Sequence, residues 1–306
     1  MSRAVRFDHY GDTDVLEVRE VENPVPGAGE VLLEVRAAGV NPVDWKILHG
    51  MLAGVRPLEF PAGLGSDVAG VVRQLGAAVT GLAVGDEMLG SSSSPAYAET
   101  ALASAQRLTR RPPAVPWEIA GSLAVVVGTA YRTLAILGVG RGETLLVHAA
   151  SGGVGLAAVQ LALARGAHVI GTAGGANHEM LRELGATPVR YGDGLAERVR
   201  ELAPDGVDAV LDASGRGELG LSVELAGGPE RVLTIAAADA AEHGVRFHPS
   251  GGGEDTVRAL EEVLPLIAAG TFVFPIAGTF TLEQAGEALH RSETGHAAGK
   301  LVIIPR

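Results

Sequence analysis

The sequence contains no cysteine, and this absence removes several kinds of chemistry at once. Disulfide bonds, thiolate nucleophiles and cysteine-ligated zinc sites are all excluded in a chain without that residue. The nine histidines are scattered singly, and no pair has the spacing that places two imidazoles on one face of a helix. We therefore expect a protein that works without a metal ion.

Basic side chains and long apolar runs are also scarce. The formal net charge is −12, and Lys46 and Lys300 are the only lysines, so nucleic acids and anionic membranes are poor partners for this surface. The longest apolar runs, at 119–127 and 264–269, are far shorter than the ~20 residues that cross a bilayer. Residues 1–7 have the pattern of a strand rather than of a signal peptide. We expect a cytoplasmic protein that acts on a small molecule.

Glycine, in contrast, is abundant, with 43 residues, and one group of glycines is placed informatively. An apolar strand pattern at 145–148 leads into a glycine-rich turn, a helical pattern at 154–165 and a second strand pattern at 168–172. This βαβ arrangement of about thirty residues lets a dinucleotide pyrophosphate approach the backbone and the start of a helix. The predicted cofactor-binding residues of the turn are Ala149, Ser151, Gly152, Gly153, Val154 and Gly155. For Ser151, capping of the helix is an equally good interpretation.

The end of the second strand carries no acidic residue. A site that selects NAD has a carboxylate there, about twenty residues after the glycines, to bind the ribose 2′-hydroxyl. Here the segment 171–178 consists of small and polar residues, and the first acidic residue is Glu179. We therefore predict NADPH as the cofactor. The candidates for its phosphate pocket are Thr172, Asn177, His178, Arg182 and Tyr191, and Ile235, after a later strand, is a further predicted cofactor-binding residue.

The chain is long enough for two domains, and the pattern of predicted strands and helices changes near Pro116. The first part predicts antiparallel strands, with polar and apolar residues alternating at 30–36, and Asn41 followed by Pro42 is typical of a helix start. After the βαβ unit, strands at 188–191, 207–212 and 231–235 alternate with helices at 195–202 and 254–269. This alternation predicts a doubly wound parallel sheet of the Rossmann type, an α/β fold.

Several segments beyond the glycine turn are also diagnostic. They are GVNPVDWK at 39–46, FP at 60–61 with GSDVAGVV at 65–72, VGD at 84–86, AYAE at 96–99, GTAY at 128–131 and GKLV at 299–302. With these segments in this order, the chain resembles the zinc-independent branch of the medium-chain dehydrogenase/reductase superfamily, specifically the quinone oxidoreductase (ζ-crystallin-like) group. Zinc-dependent relatives have Gly-His-Glu where this chain has Gly65, Ser66 and Asp67.

The resemblance implies a GroES-like, β-rich catalytic domain at 1–117 and 273–306, interrupted by a Rossmann domain at 118–272 that binds NADPH in the cleft. It also implies a homodimer or tetramer, most simply a homodimer. By the same resemblance, Asn41, Asp44 and Thr129 lie near the nicotinamide. Lys46 departs from the tyrosine that the family often has, and we predict it as a further catalytic residue, with a solvated lysine as the alternative. Trp45 and Met51 are candidates for the substrate cleft.

These features predict NADPH-dependent hydride transfer to a quinone or to the C=C bond of an α,β-unsaturated carbonyl. One alternative is a stand-alone enoyl reductase of a biosynthetic pathway, which would need a basic docking patch for a carrier. The only such cluster consists of Arg107, Arg110 and Arg111. The other alternative is a non-catalytic NADPH-binding protein or sensor. The sequence also leaves open whether the glycines at 251–253 form a lid or an ordinary loop.

Overall fold

The computed structural model describes residues 1–248, 254–295 and 297–305, so the glycines at 251–253 lie outside the described residues. The strands are β1 Ser2–Arg6, β2 Glu17–Val21, β3 Glu30–Val40, β4 Asp67–Leu75, β5 Glu87–Ser91, β6 Thr100–Ser104, β7 Leu108–Arg110, β8 Thr144–His148, β9 His168–Ala173, β10 Thr187–Arg190, β11 Ala209–Asp212, β12 Val232–Thr234, β13 Arg246–Phe247, β14 Ile276–Phe280 and β15 Lys300–Ile303. The helices are α1 Pro42–Leu48, α2 Trp117–Ala120, α3 Ala124–Leu137, α4 Gly153–Ala164, α5 His178–Glu183, α6 Leu195–Leu202, α7 Leu219–Leu225, α8 Glu254–Ala268 and α9 Ala285–Thr294.

The middle of the chain forms a six-stranded parallel sheet in the order β10-β9-β8-β11-β12-β13. The two halves of this order run outward from β8 and β11, which is the strand order of a doubly wound dinucleotide-binding fold. The fold class predicted from the alternation of strands and helices is therefore confirmed. In such a sheet, ligands bind beyond the carboxyl ends of the strands, where the strand order reverses.

The predicted βαβ unit appears as β8, α4 and β9, with boundaries within one residue of the expected ones. Close packing of α4 on the sheet depends on Gly155, because a Cβ atom there would lie 2.2 Å from the carbonyl oxygen of Ala149. That distance is far below van der Waals contact. Gly155 therefore serves the approach of helix to strand, one of the roles that glycines of such turns have.

The rest of the chain forms a seven-stranded sheet, in which six strands follow the order β14-β15-β3-β4-β5-β7 and the seventh, β6, pairs with β3. β1 and β2 form a separate antiparallel pair. The prediction of a half-buried strand at 30–36 is wrong in its burial pattern. β3 is buried along nearly its whole length, on both faces of the strand, and β4, β6 and β15 all pair with it. Its one acidic residue in mid-strand, Glu34, is buried and forms an ion pair with Arg73.

The chain divides into two compact units, Met1–Gly128 with Gly252–Arg306, and Thr129–Gly251. The domain boundaries inferred from the sequence, 117/118 and 272/273, stay predictions. The two divisions differ mainly in α8, which contacts β5 and β7 of the first unit. No helix of the described residues is both long and apolar enough to cross a membrane.

Candidate active site

The turn between β8 and α4 is built to bind an anion. Gly152 is the N-cap of α4, and no side chain caps the helix. The first N–H that bonds back is that of Leu156, which donates to the Gly152 oxygen at 2.8 Å. Within the described residues, the N–H groups of 153–155 therefore have no backbone acceptor at the start of a twelve-residue helix. Free N–H groups and the positive end of the helix dipole fit a pyrophosphate.

The turn is held in shape from the neighbouring strand. Ala149 has a φ of 55°, in the left-handed region, and its N–H donates to the hydroxyl oxygen of Thr172 at 3.1 Å. The N–H of Ala150 donates to the Thr172 carbonyl at 2.9 Å. Thr172, a predicted phosphate ligand, is almost completely buried and contacts the turn itself. Its contacts therefore indicate a positioning residue.

The capping interpretation of Ser151 is wrong, because the residue precedes the N-cap and no side chain caps α4. Instead, its Oγ accepts a hydrogen bond from Asn177 Nδ2 at 3.1 Å. Asn177 lies four residues after the end of β9, within the segment 171–178 in which a site that selects NAD is expected to have its carboxylate. The structure thus brings two of the predicted cofactor residues together at the expected edge of the sheet.

The other phosphate-pocket candidates have different surroundings. The Tyr191 side chain is half exposed, and its hydroxyl lies 3.9 Å from where a Cβ of Gly174 would be. The His178 ring contacts the Ala173 carbonyl oxygen at 3.2 Å. Arg182 is exposed and forms an ion pair with Glu179 at 3.1 Å, so its charge is partly neutralised.

A second group of polar residues lies in the first unit, where charged side chains are fully buried. Asn41 uses both ends of its amide: Nδ2 donates to Asp67 Oδ2 at 2.9 Å, and Oδ1 accepts from Lys300 Nζ at 2.6 Å. The Lys300 ammonium also donates to the Val40 carbonyl at 2.8 Å and lies 3.6 Å from Asp67 Oδ2. These contacts join β3, β4 and β15 at the start of α1.

Asp44 extends this buried group to Tyr97. Asp44 Oδ2 accepts a hydrogen bond from the backbone N–H of Asn41 and another from the Tyr97 hydroxyl, both at 2.8 Å. Burial raises the pKa of the Asp44 carboxyl to about 6, although these two hydrogen bonds and the charge of Lys300 oppose the rise. Burial also raises the pKa of Tyr97 well above its usual range, and this phenol is neutral at physiological pH.

The buried ion pair shows the same competition between burial and charge. Burial lowers the pKa of Lys300, and the carboxylates of Asp67 and Asp44 act against this effect. Burial raises the pKa of Asp67, and Lys300, Asn41 and the Val125 N–H act against the rise. Asp67, Tyr97 and Lys300 were not predicted as site residues, although each lies within a segment that carried the family resemblance. We name Asn41, Asp44, Asp67, Tyr97 and Lys300 the buried cluster.

The remaining predicted catalytic and cleft residues have different surroundings. The Lys46 ammonium lies 5.5 Å from the ring centre of Trp45, and among the described residues it has no carboxylate partner. Met51 is 64% exposed and therefore open to a ligand. Thr129, in α3, is fully buried, and its hydroxyl has no hydrogen-bond partner within the described residues. The catalytic roles of Lys46 and Thr129 stay predictions.

Two other expectations concern metal and basic residues. Across the described parts of the chain, no three His, Asp or Glu side chains come together in a group that could hold a metal ion. The basic cluster is largely paired: Arg110 contacts Asp86 at 2.8 Å, and Arg111 forms an ion pair with Glu87. It therefore offers little free positive charge for an acidic carrier protein.

Comparison with known proteins identifies the family. The model of the alcohol dehydrogenase GroES-like domain matches residues 27–136, and that of the zinc-binding dehydrogenase matches residues 153–254. A chloroplastic quinone-oxidoreductase homolog of Spinacia oleracea is 32% identical over all of this chain and 99% of its own length. The chain belongs to the quinone oxidoreductase group of the medium-chain dehydrogenase/reductase superfamily.

Relatives that are named for other activities are similar to about the same degree. A 2-methylene-furan-3-one reductase of Solanum lycopersicum is 33% identical over 99% of this chain and 79% of its own length. An erythronolide synthase of Saccharopolyspora erythraea is 34% identical over 93% of this chain, which corresponds to 8% of that protein. The family resemblance drawn from the sequence motifs is thus confirmed.

Solved structures of the family have the same fold. The quinone oxidoreductase of Coxiella burnetii superposes with a TM-score of 0.86 at 28% identity, covering 100% of this chain and 99% of that one. A mycobacterial protein in complex with NADPH superposes with a TM-score of 0.87 at 29% identity, covering both chains completely. As a member of this family, the chain is an oxidoreductase that uses a nicotinamide cofactor.

Proposed function

We propose that this protein is an NADPH-dependent reductase of quinones or of the C=C bond of α,β-unsaturated carbonyl compounds, and that it works without a metal. The observation that carries the proposal is the edge of the parallel sheet at the β8–α4 turn. An uncapped helix start faces this edge, and beside it Ser151 and Asn177 offer hydroxyl and amide groups, while the segment 171–178 contains no carboxylate.

The cofactor preference follows from charge and hydrogen bonding. A carboxylate after β9 would repel a 2′-phosphate, whereas Ser151, Asn177 and Tyr191 offer hydroxyl and amide donors. These three residues would hold the 2′-phosphate, and the N–H groups of 153–155 would hold the pyrophosphate. That a mycobacterial relative forms a complex with NADPH supports the choice of this cofactor.

The reduction of a conjugated carbonyl needs a hydride at carbon and a stabilised negative charge on oxygen. NADPH supplies the hydride when it is bound. We assign the stabilisation of the oxygen to Lys46, whose side chain is only half-buried and has no carboxylate partner among the described residues. Thr129 supplies a buried hydroxyl with an unused hydrogen-bonding capacity. Asn41 and Asp44 act as positioning residues, because both side chains are buried and bonded within the buried cluster: Asn41 Nδ2 donates to Asp67, and Asp44 Oδ2 accepts from the Asn41 backbone N–H and the Tyr97 hydroxyl.

The absence of a metal is supported by the available ligands. The chain has no cysteine, and Ser66 stands where zinc-dependent relatives have a histidine. Throughout residues 1–248, 254–295 and 297–305, no group of three side chains is arranged to hold a metal ion. Hydrogen-bond donors must then carry the developing charge on oxygen.

The first experiment measures oxidation of NADPH and, in parallel, of NADH with an o-quinone and with a conjugated 2-alkenal. Turnover of either substrate with a clear preference for NADPH supports the proposal and decides between its two substrate classes. A preference for NADH would contradict the interpretation of the Ser151–Asn177 pair. Tight NADPH binding with no turnover of either substrate would favour the alternative of a sensor.

The role of Lys46 has its own test. Lys46→Ala is expected to lower kcat/KM by roughly tenfold to a hundredfold, because a charged donor to the reacting oxygen is lost. Arg56→Ala, an exposed cation in the segment that follows α1, is the matched control and should leave the kinetics unchanged. An unchanged rate of Lys46→Ala on every accepted substrate would refute the catalytic assignment.

A second candidate function, the oligomeric state and the localisation complete the proposal. A stand-alone enoyl reductase is the second candidate, favoured by similarity to the erythronolide synthase and disfavoured by the pairing of Arg110 and Arg111. We also propose a homodimer in the cytoplasm. Size-exclusion chromatography with light scattering tests the first property, and cell fractionation tests the second.

A further inference from the structure

The carboxyl ends of β11 and β12 are tied together by one buried pair of side chains. Asp212 and Thr234 are the last residues of these neighbouring strands and lie directly opposite each other. Both side chains are buried, and the Thr234 hydroxyl donates to Asp212 Oδ2 at 2.7 Å. A hydrogen bond to a carboxylate in such surroundings is stronger than one between neutral groups. The pair therefore fixes the two strand ends relative to each other.

The same two side chains also hold the loops that follow the strands. Asp212 Oδ1 accepts hydrogen bonds from the N–H of Ser214 at 2.9 Å and from the N–H of Gly215 at 3.1 Å. Thr234 Oγ1 accepts from the N–H groups of Ala236 at 3.1 Å and Ala237 at 3.0 Å. Each loop is thus folded back onto the end of its own strand, and the Asp212–Thr234 bond joins both loops into one unit.

The two loops also touch through their backbones. Gly215 has a φ of 63°, and a Cβ there would lie 2.8 Å from the carbonyl carbon of Ala236. Only glycine fits this contact without displacing one of the loops. The N–H of Ile235 donates to the Asp212 carbonyl oxygen at 3.0 Å and adds a further bond between the strand ends. The result is a continuous backbone surface beyond the carboxyl ends of β11 and β12.

The position of this surface in the sheet indicates what it serves. A doubly wound sheet consists of two mononucleotide-binding halves, and a dinucleotide lies across both at their carboxyl edge. The glycine turn and the Ser151–Asn177 pair belong to the half with β8, β9 and β10, which takes the adenosine end. The half with β11, β12 and β13 is left for the nicotinamide end.

We propose that Asp212 and Thr234 are positioning residues for the nicotinamide half of the cofactor, because they hold the 213–217 and 235–239 loops in the shape that receives it. The inference rests on the proposed function, since it requires a nicotinamide dinucleotide. Neither residue needs to touch the cofactor. Their role is to present the backbone groups of the two loops in a fixed arrangement before binding, which lowers the ordering cost of binding.

The experiment compares the whole cofactor with its adenosine half. Dissociation constants of NADPH and of 2′,5′-ADP, which lacks the nicotinamide ribose and ring, are measured by titration calorimetry for wild type, Thr234→Val and Thr234→Ser. Thr234→Val keeps the shape but removes the hydroxyl, and Thr234→Ser restores the hydroxyl. Thr133→Val is the matched control, because Thr133 is a fully buried threonine of α3 whose hydroxyl bonds to its own helix.

We expect Thr234→Val to weaken NADPH binding by roughly tenfold and to leave 2′,5′-ADP binding unchanged, as the loss of a hydrogen bond to a charged group at the nicotinamide half requires. Thr234→Ser and Thr133→Val should bind both ligands like the wild type. Gly215→Ala, which displaces the loops by a different means, should reproduce the selective loss, and it replaces Thr234→Val if that variant does not fold.

Two results would overturn the inference. Equal weakening of NADPH and 2′,5′-ADP by Thr234→Val would indicate general destabilisation, and unchanged NADPH binding would remove the positioning role. Both results leave the proposed function intact, because wild-type binding of NADPH and 2′,5′-ADP tests that proposal separately. If wild type binds neither molecule, the proposed function itself fails and this inference fails with it.

Discussion

Replacement of Asp44 by asparagine should remove one pH-dependent contribution to the stability of this protein. Burial raises the pKa of the Asp44 carboxyl from 3.8 to about 6 in the folded state. Between these values the folded protein holds a proton that the unfolded chain has released. The contribution of this group to folding is therefore fully present below pH 3.8, and it is lost as the pH rises through 6.

The magnitude follows from the difference between the two pKa values. Each unit of that pKa difference corresponds to ~1.4 kcal/mol. The contribution of Asp44 to the free energy of unfolding therefore falls by ~2–3 kcal/mol from about pH 4 to about pH 7.5. The amide that replaces the carboxyl does not titrate, and its oxygen can still accept from the Asn41 N–H and the Tyr97 hydroxyl. As the pH rises through this range, the free energy of unfolding of Asp44→Asn should therefore increase by ~2–3 kcal/mol relative to that of the wild type.

Urea unfolding at half-unit pH steps measures this difference directly. Asp86→Asn is the matched control, because Arg110 lowers the pKa of the partly buried Asp86 carboxyl, so that its expected pH dependence has the opposite sign and falls mostly below pH 3.8. A difference between Asp44→Asn and wild type that stays constant from about pH 4 to about pH 7.5 would refute the reasoning. It would mean that the buried carboxyl is ionised over the whole range, as it is in the unfolded chain.

Three further substitutions test other parts of the structure. Lys300→Met leaves the buried Asp67 carboxylate without its ammonium partner. It should lower the free energy of unfolding at about pH 7, measured by urea titration, by ~3–5 kcal/mol. An effect below ~1 kcal/mol would contradict the pairing. Asn177→Asp places a carboxylate after β9 and should weaken NADPH relative to NADH by roughly tenfold in their measured dissociation constants, so an unchanged ratio would move the 2′-phosphate elsewhere. Gly155→Ala should cost ~1–3 kcal/mol, because its Cβ would lie 2.2 Å from the Ala149 oxygen, whereas Gly54→Ala, which meets open space, should be neutral in the same thermal unfolding assay.

The features that sequence patterns predicted well are local ones. Strand β8, helix α4 and strand β9 follow from apolar periodicity and glycine placement within one short segment, and α6 has the predicted limits. The helix start at Asn41 and Pro42 was also predictable, because the residue types at an N-cap and at the next position depend on local backbone geometry.

The buried cluster could not be predicted in the same way. Lys300 and Asp67 are far apart in the sequence, and only the pairing of β15 with β3 and of β3 with β4 brings them together. The prediction for β3 failed for a similar reason, because alternation at 30–36 does not reveal which distant parts of the chain cover the second face of the strand. The capping interpretation of Ser151 failed for the same reason. Its hydroxyl bonds to Asn177, which follows the next strand and is distant in the sequence.

The carboxyl edge of the parallel sheet has a further property that connects the two halves of the candidate cofactor site. Thr172, His148, Asp212 and Thr234 lie in one row across β9, β8, β11 and β12, and all four are buried. Burial lowers the pKa of His148, which contacts Ser222 Oγ at 3.0 Å and Thr172 Oγ1 at 3.5 Å. In each half, a threonine hydroxyl holds the turn or loop at the adjoining strand end.

Burial of such a polar row costs free energy of folding, because apolar side chains could fill the same positions without losing hydrogen bonds to water. Its retention is explained if the turn at 149–152 and the loops at 213–217 and 235–239 must keep fixed shapes beside a ligand that itself has many polar groups. Hydrogen bonds specify direction, which apolar contacts do not, and the row supplies one to each of these segments. The row thus sets, from within the sheet, the geometry of both ends of the proposed cofactor site.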